Sequence, residues 1–146
     1  MRALKFLAIV LTALALVPGG AHLFALPNKI HLTESNYFVV QNIYRGWALF
    51  GIVLFGALFA NLALAWATRG QRAFAFVLVN LVCLVAALVI FFAFTFPANQ
   101  ATNNWTVVPA DWQQLRWQWE VSHAVNAVIT FVGFCSLAMS FLVETE

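Results

Sequence analysis

Four long apolar stretches, separated by polar, aromatic or basic connections, set the pattern of this 146-residue chain. Residues 3–26, 46–67, 73–96 and 117–143 each reach or exceed the ~20 residues that a helix needs to cross a bilayer. The pattern predicts an all-α polytopic membrane protein. Its single domain over residues 1–146 is a four-transmembrane-helix bundle, with two longer connections on the same, non-cytoplasmic side. Met1-Arg-Ala-Leu-Lys5 before an apolar run resembles a secretory leader, but the run exceeds the ~7–15 apolar residues of such leaders, so it reads as a first span. Pro18-Gly19-Gly20 interrupts that span, where proline removes a backbone hydrogen bond and glycine admits a close neighbouring helix.

Leu26-Pro27 is expected to end the first span, and Thr33 or Ser35 to cap a short helix. That helix carries Tyr37, Gln41, Tyr44 and Arg45 on one face, leading into the second span. Thr68-Arg-Gly-Gln-Arg72 is a tight basic turn, and Pro97 through Pro109 is the longest connection, polar but holding Trp105, as a lid would. Arg2, Lys5, Arg69 and Arg72 fall on the side of the termini, against Lys29, Arg45 and Arg116 on the other. The excess of basic residues places both termini in the cytoplasm, and the chain in the inner membrane if it is bacterial.

One span carries chemistry. Along the helix that begins near Trp112, the residues Trp112, Arg116, Trp119, Glu120, His123, Asn126, Ala127 and Thr130 share about a third of the circumference. Val121, Ala124, Val125, Val128 and Phe131 lie opposite. A charge at bilayer depth costs at least ~2.5–3.5 kcal/mol, so Glu120 and His123 are expected to face the bundle interior. Spacing allows a relay from Arg116 to Glu120 to His123. His22 lies five residues before Pro27, and so ~7–10 Å below the same surface as His123. The two imidazoles are expected to face a shared chamber in the outer half of the bundle, with Trp105, Trp112, Trp117 and Trp119 supplying flat surface for a planar hydrophobic molecule.

Composition narrows the alternatives. With 64% hydrophobic and 8% charged residues, the chain is unlike a soluble domain of this length. A net charge of +2 without a basic stripe sets nucleic acid aside. Cys83 and Cys135 lie inside apolar spans and read as small buried hydrophobes, not a disulfide. Asn61 and Asn80 are expected to bond between helices. Partners are then membrane lipid, a hydrophobic small molecule, and a second copy or another membrane protein.

Several segments resemble one family. Leu26-Pro-Asn-Lys-Ile30, Val40-Gln-Asn-Ile-Tyr-Arg-Gly-Trp47, Pro97-Ala-Asn99 and Trp112-x-x-Leu-Arg116 followed by Trp119-Glu-x-x-His123 are similar to the small four-span membrane proteins related to fungal anthrone oxygenases. The resemblance spans nearly the whole chain, with Asn126 where an arginine is expected three residues after the histidine. It implies oxidation of an electron-rich polycyclic phenol to a quinone by molecular oxygen without a recognised cofactor. Such chemistry needs a base and donors for an oxyanion. The expected base is His123, oriented by Glu120, with Arg116 or Tyr37 on the oxyanion and His22 at the same centre. Trp119, Trp112, Trp105, Tyr37, Gln41, Tyr44, Arg45 and Asn99 are expected to bind substrate.

Two other classes fit the same residues. His22 and His123 on different helices suit axial haem ligation or, with Glu120, a non-haem iron or copper site. Alternatively the tryptophan pocket binds lipid or quinone without chemistry, as in a non-catalytic membrane subunit.

Overall fold

The computed structural model describes residues 1–143, and these are helical throughout apart from turns. In chain order they form α1 (Arg2–Lys29), α2 (Glu34–Gln41), α3 (Phe50–Ala67), α4 (Ala73–Ile90), α5 (Phe96–Ala101) and α6 (Trp112–Leu142). Short 3-10 turns at Asn42–Tyr44 and Trp47–Leu49 lead into α3, and a π-turn at Phe91–Thr95 joins α4 to α5. Four helical runs are long and apolar enough to cross a membrane: Arg2–Lys29, Trp47–Ala67, Ala73–Ala101 and Trp112–Leu142. In the bundle α1 packs on α3 and α6, and α4 on the same two.

The packing is the reverse of a soluble bundle. Large apolar side chains point outward, among them Phe24 at 82% exposure, Ile52 at 74% and Phe6 at 69%. Small and polar residues fill the middle: Ala8, Thr12, Ala57, Ala60, Asn61, Ala73, Asn80 and Ala87 are all buried. Lipid is as apolar as leucine, so helices in a bilayer associate through close backbone approach and interhelical hydrogen bonds. Both devices are present. Asn61 Nδ2 donates to Thr12 Oγ1 (3.0 Å) and Asn80 Nδ2 donates to Asn61 Oδ1 (2.8 Å), tying α1, α3 and α4 together at mid-height. Gly133 and Gly19 supply the close approach, because a Cβ on Gly133 would stand 2.7 Å from Asn80 Oδ1, and one on Gly19 3.2 Å from the Ala127 Cα. Four such helices fit a multi-pass membrane protein.

Three boundaries differ from those the sequence suggests. α1 runs unbroken through Pro18 and Pro27 to Lys29, three residues beyond Leu26. The third run continues past Phe96 because the π-turn takes up the hydrogen bond that Pro97 cannot make, with the Phe96 amide reaching back to the Phe91 carbonyl. The connection expected from Pro97 therefore shrinks to residues 102–111. The fourth membrane-length run takes in the polar turn from Trp112 as well, instead of starting at 117. Arg45 and Tyr44 do not extend α2, since Gly46 at φ +87° turns the chain into α3. Cys135, expected to be buried, lies on the exposed apolar face.

Overpacking should separate two glycines. Gly133→Ala is expected to cost about 1–3 kcal/mol of stability, whereas Gly20→Ala, with nothing within 4 Å of the new methyl, should be neutral or stabilising by up to ~1 kcal/mol. Unfolding both variants in mixed micelles checks this, and equal shifts would contradict the packing described.

Candidate functional site

At the end of the bundle where residues 30–49 and 102–111 meet, the last turns of α1, the first turns of α6 and the whole of α2 enclose a polar cluster. Lys29 sits two turns after His22 on α1 and so shares its face. Its ammonium lies 2.9 Å from Glu120 Oε1 and 3.4 Å from His22 Nδ1. Lys29 and His22 are 3% exposed and Glu120 is fully buried. Charges so far from water persist only when paired and hydrogen-bonded. The Tyr37 hydroxyl, brought in by α2, donates to the same Glu120 oxygen at 2.9 Å, and the Gln41 amide donates to the Tyr37 oxygen. The rings of Tyr44 (4.7 Å) and Trp119 (5.1 Å) flank the ammonium as cation–π partners.

The imidazoles of His22 and His123 lie side by side, with centroids 4.2 Å apart. Trp119 packs on both, and Tyr44 and Trp47 close over His22. The hydrogen bonds fix the protons. A lysine ammonium can only donate, so His22 Nδ1 accepts and its proton sits on Nε2. A carbonyl can only accept, so His123 Nδ1, 2.9 Å from the Trp119 oxygen, carries the proton. In the neutral imidazole this leaves the lone pair on Nε2, which has no hydrogen-bond partner among the described residues.

Several roles expected from spacing are filled differently. Glu120 bonds to Lys29 and Tyr37, not to Arg116 or His123, so the helical relay does not form. Arg116 instead donates to the Leu32 carbonyl (2.7 Å) and lies over the Trp112 and Tyr37 rings, clamping the first connection onto α6. Arg45 is exposed and its guanidinium donates to Asn42 Oδ1 (3.2 Å), outside the cluster. Trp117, 61% exposed, points away from it. Trp112 and Trp105 pack around Tyr37 and Phe38. The open chamber expected between the imidazoles is filled by this packing.

Asn99 joins a second layer. Its Oδ1 accepts both indole N–H groups, from Trp119 (2.8 Å) and Trp105 (3.2 Å). This leaves its amide nitrogen for the cavity of about 330 Å³ that it lines with Phe96, Gln100, Asn103 and Asn104. Trp105 reaches Asn99 because residues 103–105 form a left-handed turn, with φ of 47°, 53° and 64°. That conformation costs ~1–2 kcal/mol per residue. It is held by Trp105 N–H to Thr102 Oγ1 (3.1 Å), Asn104 N–H to Asn99 O (2.7 Å), and the Trp105 ring against Tyr37 (5.2 Å).

Lys29 is the residue that sequence reasoning passes over. Placed beyond Leu26-Pro27, it reads as a loop cation, and only the continuation of α1 through Pro27 turns it inward. The one available signal was the Glu120 carboxylate, which needs a buried cation, although Arg116 one turn earlier already offered one.

An ion with His22 and His123 on its opposite faces, as in axial haem ligation, does not fit. Metal–imidazole bonds are ~2 Å, so ligands on opposite faces of one ion have centroids well beyond the 4.2 Å found here. Among the described residues no three His, Cys, Asp or Glu side chains converge as a ligand set. The fold and site together define a four-helix bundle of membrane-spanning length with a buried acid–base cluster at one end. No protein-family model matches the chain, nor does any curated protein or solved structure.

Two outcomes test the cluster. Lys29→Met strands the Glu120 carboxylate and should destabilise the protein by about 3–5 kcal/mol, much of it recovered in Lys29→Met/Glu120→Leu; strictly additive losses would show that the pair is not coupled. Burial, and then the neighbouring Glu120 charge, push the Tyr37 hydroxyl far above its ordinary value of 10.0. A raised value stabilises the fold fully below pH ~10 and is lost as pH climbs further. Alkaline unfolding above pH ~10 should therefore be less steep in Tyr37→Phe, and identical profiles would count against the assignment.

Proposed function

We propose that this chain is a membrane-embedded, oxygenase-like oxidoreductase acting on a planar hydrophobic phenol- or quinone-type substrate, as its resemblance to the anthrone oxygenases implies. The observation that carries the reading is the unprotonated Nε2 of His123, held beside a buried cation and walled by aromatic rings. A lone pair fixed by a bond on the opposite ring nitrogen is what a general base requires. His22 lies between that base and Lys29, the cation that Glu120 pairs. Glu120 holds Lys29 in place rather than orienting His123, and Tyr37 and Gln41 hold Glu120. Glu120 Oε2, Gln41 Oε1 and Arg116 Nε are buried without a protein partner and offer two acceptors and a donor to polar groups of a bound molecule.

The chemistry balances without a cofactor. His123 Nε2 takes a proton from a methylene flanked by electron-rich rings, and the carbanion gives its electrons to dioxygen, forming a carbon–oxygen bond as a peroxide anion. That anion takes up a proton, and loss of water across the C–H and O–O bonds leaves a ketone. In sum CH2 and O2 become C=O and H2O.

For orientation we propose that both termini are cytoplasmic and the site lies in the outer half of the membrane, the inner membrane if the host is bacterial. Arg2, Lys5, Arg69 and Arg72 are at the terminal end. At the other end Lys29 is neutralised by Glu120 and Arg116 is folded onto the Leu32 carbonyl, which supports the same sense.

The test is turnover of an anthrone-type substrate by the purified chain in lipid nanodiscs, followed by oxygen uptake and quinone absorbance with no added cofactor. His123→Ala should lower kcat about 10²–10⁴-fold while substrate binding persists. Undiminished turnover in that variant would sink the base assignment, and binding without turnover in the native chain would make this a carrier site.

A further inference from the structure

Opposite the acid–base cluster, a groove of about 620 Å³ runs between α3 and α4. Its walls are apolar, including Phe59, Leu62, Leu78 and Leu81, and Trp66 and Arg69 line it as well. Trp66 is 69% exposed, and the Arg69 guanidinium lies 3.1 Å from its ring centroid. Stacking uses the face of a guanidinium and leaves its N–H edges free to grip an anion. Arg72 is exposed on the same turn. The acidic residues among those described, Glu34, Asp111 and Glu120, all lie toward the other end, so nothing described here repels a negative group.

Length decides what lies in the groove. From Arg69 to Phe59 is ten residues, or ~15 Å along a helix, which is half of the ~30 Å hydrocarbon thickness. The groove thus runs through one leaflet and stops near the Asn61–Asn80 pair. A partner helix would need the full thickness; an acyl chain needs one leaflet.

We infer that this groove is a binding site for an anionic phospholipid, one acyl chain lying between α3 and α4 and the phosphate held by Arg69 and Arg72. The inference rests on the chain spanning a bilayer, not on the oxygenase chemistry, so the two fail separately.

Native mass spectrometry of the full chain in mild detergent, with phosphatidylglycerol or phosphatidylcholine of the same acyl composition, tests it. The native chain should retain phosphatidylglycerol at least about fivefold better, the effect expected of one basic residue at an anionic surface. Arg69→Gln should bring the two lipids close together without changing thermal unfolding in lipid-free detergent. Leu78→Trp, which fills the groove, should reduce both, and His123→Ala should change neither. Equal retention of the two lipids by the native chain, undiminished phosphatidylglycerol in Arg69→Gln, or a second copy of the chain seated on this face in place of lipid would overturn the proposal.

Discussion

A carboxylate with no exposure to water dictates the architecture of the functional end. Burying one charge costs several kcal/mol even after relaxation, and only a well-placed counter-charge with further hydrogen bonds offsets it. Lys29 supplies the charge and Tyr37 a second donor to Glu120. Each partner fixes an element: α1 must continue through Pro27 to present Lys29, and α2 must lie across the bundle mouth to present Tyr37. Arg116 then closes the arrangement by holding Leu32, so the connection between α1 and α2 cannot lift away without breaking a charge-assisted bond.

The bundle answers to a different constraint farther down. There small residues and amides join the helices, with Asn61 between Thr12 and Asn80 and Gly133 against Asn80. Such bonds are individually modest in a membrane, because the separated helices also find partners. Their value is in setting register, since each amide faces one opposite position. The π-turn before Pro97 plays a comparable part: it carries the third helical run far enough for Asn99 to reach the indoles of Trp105 and Trp119.

Between these layers the two histidines differ in state despite touching. Lysine imposes an acceptor on the inner nitrogen of His22, and a backbone carbonyl imposes a donor on that of His123. Two chemically identical side chains are thereby given distinct tasks, one bridging to the cation and one presenting a lone pair.

The sequence by itself determined the number of membrane-length helices, because a run of about twenty apolar residues has few other stable fates. It also placed Glu120, His123 and Asn126 opposite Val125, Val128 and Phe131, and those three apolar residues do face outward, since helical periodicity is local. What it could not supply were pairings between elements. The i,i+4 spacing of Arg116 and Glu120 suggested a bond along one helix, yet the stronger partner was a lysine 91 positions away. Pro27 and Pro97 read as helix ends, yet α1 runs straight through the first and a π-turn accommodates the second. Asn103 and Asn104 enter the left-handed region readily, but nothing local marked Trp105, because a bulky residue tolerates that backbone only where its ring is gripped from several sides. Tertiary structure alone decided these points, since the energies that settle them, desolvation of charge and packing of rings, depend on which distant groups arrive at the same place.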